Sequence, residues 1–541
     1  MIARRPRASP RGPSLSIEPT ADQRSALHTV LVCMPFQDTL RPSIQLGLLK
    51  AIGEAAGFPV RTIHANLEFA TRIGTDLYAS LCHHRGHLVG DWLFSIEAFG
   101  KAAPDPDAHL LDDFAQDLSY LGDGTPSERR TCLIDVRDRQ VPAYLDALLE
   151  SFPWDGTQVV GFSSTFQQNT ASFALARRLK ERYPNILAIF GGANFDGEMG
   201  VELVRSIDCI DAAVIGEGDV AFPALLDAFA TGSVPTAVPG VAQRHGDTVT
   251  VTPASPPIEA LDQLPTPDYD DYFECVENHG LVPRDGFRGI TIPFESARGC
   301  WWGAKHHCTF CGLNGATMRW RAKSPQRVLE ELALQARRYH TFYFEAVDNI
   351  IDAHYLNTLL PSLADAGTGY EFFYEVKANL SRAQLRLLAQ SGVRHVQPGI
   401  ESLSSNVLRL MRKGVRAGQN VNLLRWAQYY DIDVSWNLLW GFPGETEQDY
   451  AGQASAVPAL IHLRPPQSVG RIWLERFSPM FVEPNEFPMR YRRPEASYRY
   501  IYPAEVDLER VAYFFEYELE STLPQSAYAP LRRAVDRWSE A

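Results

Sequence analysis

No stretch of this sequence is apolar for long enough to span a bilayer. The N-terminus, MIARRPRASPRGPSLSIEPT, lacks the apolar core of a signal peptide, so residues 1–28 read as a disordered leader on a cytoplasmic protein. Basic residues are in deficit: 51 Lys and Arg stand against 65 Asp and Glu, a formal charge of −14. A nucleic-acid backbone is held mainly by Lys and Arg, which argues against nucleic acid as a partner. Cysteine is scarce too, with eight in 541 residues, and Cys33, Cys82, Cys132, Cys209 and Cys275 each stand alone. That is no disulfide framework. Also missing is a G-x-G-x-x-G after the first apolar run, which disfavours a nicotinamide dinucleotide.

The other three cysteines do the opposite and crowd together. ESARGCWWGAKHHCTFCGLNG holds Cys300, Cys308 and Cys311 at the spacing C-x7-C-x2-C, with two tryptophans and two histidines. Three thiolates on one loop suit a [4Fe–4S] cube that keeps its fourth iron open. They suit zinc equally well if His306 or His307 supplies a fourth ligand.

The length predicts about three domains. Residues 29–231 alternate strand and helix: TVLVCMPF, FPVRTIHA, QVVGFSSTF, ILAIFGGANFDG and CIDAAVIGEGD are the strands, and the pattern implies a parallel sheet wrapped by helices. A helical insertion interrupts it over about 67–150. Small residues recur just past three strand ends: Ser163, Ser164 and Thr165; Gly191 and Gly192; Gly216, Glu217 and Gly218. Ligands of open α/β sheets sit at that edge, although each group alone reads as a simple turn. Residues 232–290 are rich in Pro and read as an extended linker.

From ITIPFES onward, residues 291–476 give six strands alternating with helices, a partial parallel barrel whose chemistry belongs at the carboxyl ends of its strands. The cysteine loop follows the first of them, which favours the cluster over zinc. Trp436 and Trp440 share a strand face and are expected to line the barrel interior. The extension over residues 477–541 is rich in aromatics and Arg. It either covers the bottom of the open barrel or recognises a peptide, packing being the plainer reading.

SSTFQQN, FGGANFD and VIGEGD resemble the cobalamin-binding Rossmann domain that precedes many radical S-adenosylmethionine (radical SAM) domains, and the second half resembles radical SAM enzymes throughout. The fold class implied is α/β: an N-terminal Rossmann-like cobalamin-binding domain, then a partial (βα)6 TIM-like radical SAM barrel with a C-terminal extension. CWWGAKHHCTFCGLNG with RVLEEL, LERFSPMF and AYFFEYEL is similar, more narrowly, to the radical SAM proteins that mature ribosomally made, post-translationally modified peptides (RiPPs). The general family spacing is C-x3-C-x2-C, so the seven-residue gap is a departure that the narrower group shares.

The resemblance implies that Cys300, Cys308 and Cys311 hold a [4Fe–4S] cluster whose open iron chelates SAM. By the same token Phe310 lies against the adenine, Asp348 receives the methionine amino group, Glu401 contacts ribose or methionine, and Gly441 in LLWGFPGET approaches the adenine. For Glu401 the plain alternative is a salt bridge with Arg394 or Lys377. Ser163, Ser164 and Thr165 would line the corrin's nucleotide tail, and Gly191, Gly192, Gly216, Glu217 and Gly218 would border the same groove. PFQDTLRPSIQLG carries no histidine where many cobalamin proteins ligate cobalt. The implied function is a C-methyltransferase that acts on an unactivated carbon of a precursor peptide through a 5′-deoxyadenosyl radical and methylcobalamin, served by an electron donor such as flavodoxin or ferredoxin. A non-methylating rearrangement or cross-link is the alternative, and a zinc-containing binding protein the alternative of another class. The acidic charge disfavours a tRNA-modifying enzyme.

Overall fold

The computed structural model describes residues 18–541 apart from positions 85, 123, 234–236, 247, 283–285 and 316. Thr29–Val32 (β1), Val60–Ile63 (β2), Val159–Ser163 (β3), Leu187–Gly191 (β4) and Ala212–Val214 (β5) form a parallel sheet in the order β2-β1-β3-β4-β5. All four residues of β1 are buried, because helices cover both faces, and so it reads as an unbroken apolar run. The chain leaves β1 to one side for β2 and returns to its other side for β3. A crevice therefore opens past the carboxyl ends of β1 and β3.

Two boundaries differ from the sequence reading. The stretch expected to be a linker adds Val241–His245 (β6) and Thr248–Val251 (β7) to this sheet as antiparallel strands. Pro on both flanks hid these strands in the sequence. Within the expected leader, Ala21–Ala26 is a helix capped by Thr20, and Arg24 pairs with Asp227 at 2.8 Å; positions 1–17 lie outside the described residues. Between β2 and β3, helices from Ala65–Ile73 to Val141–Ser151 pack around Trp92, Phe94 and Tyr144.

The second half begins with Ile292–Phe294 (β8), Ala297–Arg298 (β9) and Arg321–Ala322 (β10). It continues with Tyr343–Ala346 (β11), Glu371–Glu375 (β12), Val393–Gln397 (β13), Asp433–Val434 (β14), Asn437–Trp440 (β15) and Ser468–Arg471 (β16). β8, β11, β12, β13 and β14 lie side by side in chain order, all parallel. The fifth barrel strand is broken: β14 pairs with β13, while β15 pairs with β16, and a parallel bridge from Glu401 to Leu438 joins the two parts. Six successive strand positions thus make an open barrel.

Leu474–Glu475 (β17), Met489–Pro494 (β18) and Phe514–Leu519 (β19) form a small antiparallel sheet in the order β17-β19-β18. It does not cover the bottom of the barrel. It packs at the mouth, where the Gly312 N–H donates to Glu475 Oε2 (2.8 Å) and the Met480 N–H to the Thr309 carbonyl (2.9 Å). The helix Ala529–Ser539 closes the barrel's last side. Trp436 meets its Trp538 at 5.7 Å and Trp440 stacks on Tyr528 at 5.0 Å, so these tryptophans pack against the C-terminal segment and do not line open space.

Candidate active site

A short ladder holds the neck of the cysteine loop. β9 pairs antiparallel with β10, and between them Gly299 takes φ +84°, where an added Cβ would lie 2.2 Å from the Arg319 carbonyl oxygen. Only glycine fits there. The seven-residue gap that follows is a two-tryptophan anchor around the short helix Gly303–His306. Trp301 Nε1 donates to the Ile351 carbonyl and Trp302 Nε1 to the Arg412 carbonyl, both at 3.0 Å. Lys377 Nζ sits 3.3 Å from the centre of the Trp302 ring, a cation–π contact. The gap thereby ties the cysteine loop to the stretches beyond three other barrel strands.

All three cysteines line one cavity of about 210 Å³, together with Phe310, Glu375, Lys377, Glu401 and Lys413. The thiols are free. Burial pushes the Cys311 thiol up to about 12; it also raises Cys308, which Lys413 partly offsets. Burial pushes Glu375 up to about 8, with Lys413 opposing and Glu401 adding to the shift. Burial and then Lys413 bring Lys377 down to about 8. Lys413 itself is raised, since Glu401 and the neighbouring thiols outweigh its desolvation. Of these four ionisable groups, the sequence reading named Glu401 and, as its possible partner, Lys377.

Of the expected SAM contacts, Phe310 and Glu401 reach this cavity. Glu401 has φ +55°, and its carbonyl accepts from the Leu439 N–H at 2.9 Å across the barrel's broken strand. Its ionic partner is Lys413 at 3.6 Å, neither Arg394 nor Lys377. Asp348 is a correction. It is buried, and its carboxylate accepts from the N–H groups of Ser296 (2.8 Å) and Ala297 (2.9 Å) and from the Ser296 hydroxyl. It holds the start of the cysteine loop and does not line the cavity, where its neighbour Asn349 does. Gly441 is not among the residues that line the cavity; its N–H is bonded to Glu445 Oε2 at 3.0 Å, and its neighbour Phe442 meets Phe310 edge-on at 6.0 Å.

A second cavity, of about 400 Å³, opens past β1, β3, β4 and β5. Ser163, Gly191, Gly192, Gly216, Glu217 and Gly218 line it. Gly192 has φ +93°, and an added Cβ would stand 2.5 Å from the Ser164 carbonyl oxygen. Ser164 and Thr165 do not line it. The Ser164 hydroxyl is buried and donates to Asn169 Oδ1 (2.7 Å), and the Thr165 hydroxyl donates to Gln168 Oε1 (2.9 Å), because both face the following helix. Glu217 is held by Arg321 at 2.6 Å and Arg298 at 3.3 Å. Among the described residues no histidine lines this cavity.

What sequence reasoning missed is that the barrel itself closes the second cavity. Glu295 and Arg298 project into it from the stretch just before Cys300. Arg298 pairs with Asp219 and Glu295 at 2.7 Å. Burial opposes its charge, but Glu295 and Asp219 outweigh that and hold the guanidinium well above its usual range.

Among the described residues no three His, Cys, Asp or Glu side chains converge where a single ion would sit. A cube takes its thiolates at separate corners. His307 Nε2 is already committed to the Cys311 carbonyl at 2.8 Å, and His306 is exposed against Trp302. The residues fit a cluster better than a Cys3His zinc site. Residues 294–452 match the family described as the radical SAM superfamily.

This part of the chain is a radical SAM domain.

Radical SAM chemistry uses a [4Fe–4S] cluster and SAM, and the cofactor and enzyme-class expectations hold at that level. The chain is 26% identical over 342 residues to the uncharacterized methyltransferase PH0819 of Pyrococcus horikoshii, covering 61% of this chain and 70% of that protein. It is 31% identical over 221 residues to the cobalamin-dependent radical SAM methyltransferase TokK of Streptomyces tokunonensis, covering 39% and 31%. Of six curated relatives, TokK among them, it spans 22% to 60% of their length. The fold matches the methyltransferase TsrM of Kitasatospora setae, solved with cobalamin and a [4Fe–4S] cluster bound, at a TM-score of 0.60 and 16% identity, covering 95% of this chain and 91% of that one. No described helix is long and apolar enough to cross a membrane.

Proposed function

We propose that this chain is a cobalamin-dependent C-methyltransferase that modifies an unactivated carbon of a ribosomal precursor peptide. The observation that carries the reading is the adjacency of the two cavities. The stretch from Glu295 to Cys300 contributes Glu295 and Arg298 to the glycine-edged cavity and Cys300 to the thiol-lined one. When bound, the cluster and SAM supply one-electron hydrogen abstraction, and the corrin supplies the methyl group.

Cys300, Cys308 and Cys311 would hold the cluster, anchored by Trp301 and Trp302. Glu401 and Lys413 offer both signs of charge beside it, as the amino and carboxylate groups of an amino acid require, and Glu375 adds a carboxyl that burial keeps largely protonated. Gly191, Gly192, Gly216 and Gly218 let backbone approach a flat ligand, and the barrel's own Arg298 shuts that groove from above. Closure of this kind keeps water away and fixes the reacting groups relative to one another. The precursor-peptide substrate is supported by the CWWGAKHHCTFCGLNG resemblance, and an electron donor such as flavodoxin or ferredoxin completes the reaction.

The test is anaerobic incubation of the reconstituted enzyme with methyl-labelled SAM and the precursor peptide encoded beside the gene. The reading predicts a product heavier by one labelled methyl group. A product of unchanged mass, or one cross-linked with loss of hydrogen, would replace methyl transfer by the rearrangement or cross-linking alternative.

A further inference from the structure

A third cavity, of about 570 Å³, lies apart from both cofactor cavities, between the helical insertion, the end of β16 and the C-terminal sheet. Its wall is aromatic. Trp473 and Tyr491 are 54% and 45% exposed on it, and Phe514 meets Trp473 edge-on at 5.0 Å. Large exposed aromatics clustered in a concavity mark a binding surface more often than a bare fold requirement.

Its charges are unevenly satisfied. Glu495 accepts from Ser497 and pairs with His87 at 3.0 Å, and Glu516 pairs with Arg493 at 2.6 Å. Arg471 has no carboxylate within ion-pair distance among the described residues; it lies over the Tyr517 ring at 4.3 Å, and that phenol donates to the Ile472 carbonyl. A half-buried guanidinium on an aromatic wall is suited to take a carboxylate from a ligand.

The cavity also leads somewhere. Leu88 and Phe514 line both it and a narrow passage of about 90 Å³. That passage runs between Ala193, Asn194 and Asp196 of the first domain and the loop after Cys311, and it shares Leu313 and Asn314 with the thiol-lined cavity. Its volume suits one side chain, whereas the outer cavity has room for main chain.

We propose that the outer cavity is the docking site of the polypeptide substrate, that Arg471 takes an acidic residue of that peptide, and that a neighbouring side chain passes between Leu88 and Phe514 toward the cofactors. The proposal rests on the reading that the substrate is a peptide, and it gives the C-terminal extension the recognition role that packing alone does not explain.

The experiment uses the full-length, reconstituted protein and the fluorescein-labelled precursor peptide, with a second peptide in which every Asp and Glu is replaced by Asn or Gln. Anisotropy gives Kd, and methyl incorporation gives kcat and KM separately. R471Q is expected to weaken the acidic peptide about tenfold to a hundredfold and to leave the neutral peptide's Kd unchanged. W473A and Y491A, both at exposed positions, are expected to weaken both peptides, with iron and corrin content as the check on folding. Variants that leave Kd and KM unchanged while the peptide is methylated overturn the docking site and spare the proposed function. Peptide that binds through Arg471 without being methylated supports the docking site and overturns the chemistry. Peptide that neither binds nor reacts overturns both.

Discussion

Asn in place of Asp348 separates a scaffold role from a SAM-binding one. The carboxylate receives three donors, two of them backbone N–H groups at the start of the cysteine loop. Ala there leaves both N–H groups buried without an acceptor, about 1–3 kcal/mol each. Asn keeps one oxygen for them and should fold. Burial is the larger influence on the carboxyl and raises it to about 7 despite its donors, against about 3.9 unfolded. A raised carboxyl stabilises the fold fully below the unfolded value, and that contribution is gone once pH passes the folded one. Between pH 5 and pH 7 the wild type therefore loses about 2–3 kcal/mol through this group, and D348N loses none of it. The assay is thermal unfolding of both proteins across pH 5–8, with SAM affinity measured alongside. The expected outcome is a Tm difference that shrinks toward acid pH, with SAM affinity unchanged in D348N. A pH-independent difference, or SAM binding tenfold weaker, would refute the scaffold role.

Three further perturbations have defined outcomes. Trp302→Ala removes the indole bond to Arg412 and the Lys377 contact, together about 2 kcal/mol of loop anchoring, and should lower the iron retained after anaerobic reconstitution while W302F retains most of it. Gly192→Ala drives a Cβ into the Ser164 carbonyl at a left-handed φ, so corrin binding should fall at least tenfold with iron content intact. Arg298→Met strips the common partner from Glu217, Asp219 and Glu295. Equilibrium dialysis should show weaker corrin binding, and a lowered Tm should report carboxylates left unpaired, about 3 kcal/mol.

The parts of the site carried by local spacing were legible in the sequence. Cys300, Cys308 and Cys311 share one loop, and the glycines after β4 and β5 follow apolar runs directly, so neither required knowledge of the fold. Side-chain direction was not legible. Asp348 sits one residue from Asn349, which lines the cavity, and only the course of the chain beyond β11 tells which of the two turns inward. Ser164 and Thr165 lie beside Ser163 but bond to their own following helix. Glu375 and Lys377 come from the end of β12 and Lys413 from the stretch beyond β13, which no linear motif joins. Their convergence with Glu401 is a product of barrel closure. The hairpin of β6 and β7 was hidden by its prolines, and the C-terminal sheet's place at the mouth depends on contacts made across more than a hundred residues, such as Gly312 with Glu475.

The central claim is that two cofactor cavities meet across the stretch from Glu295 to Cys300. Anaerobic reconstitution with iron, sulfide and hydroxocobalamin, followed by gel filtration and metal and corrin analysis, tests it most directly. The account predicts a brown protein with about four iron ions and about one corrin per chain, the iron lost in a Cys300, Cys308 and Cys311 triple Ala variant and the corrin lost in G192A. A colourless protein that takes up stoichiometric zinc and no corrin would contradict it.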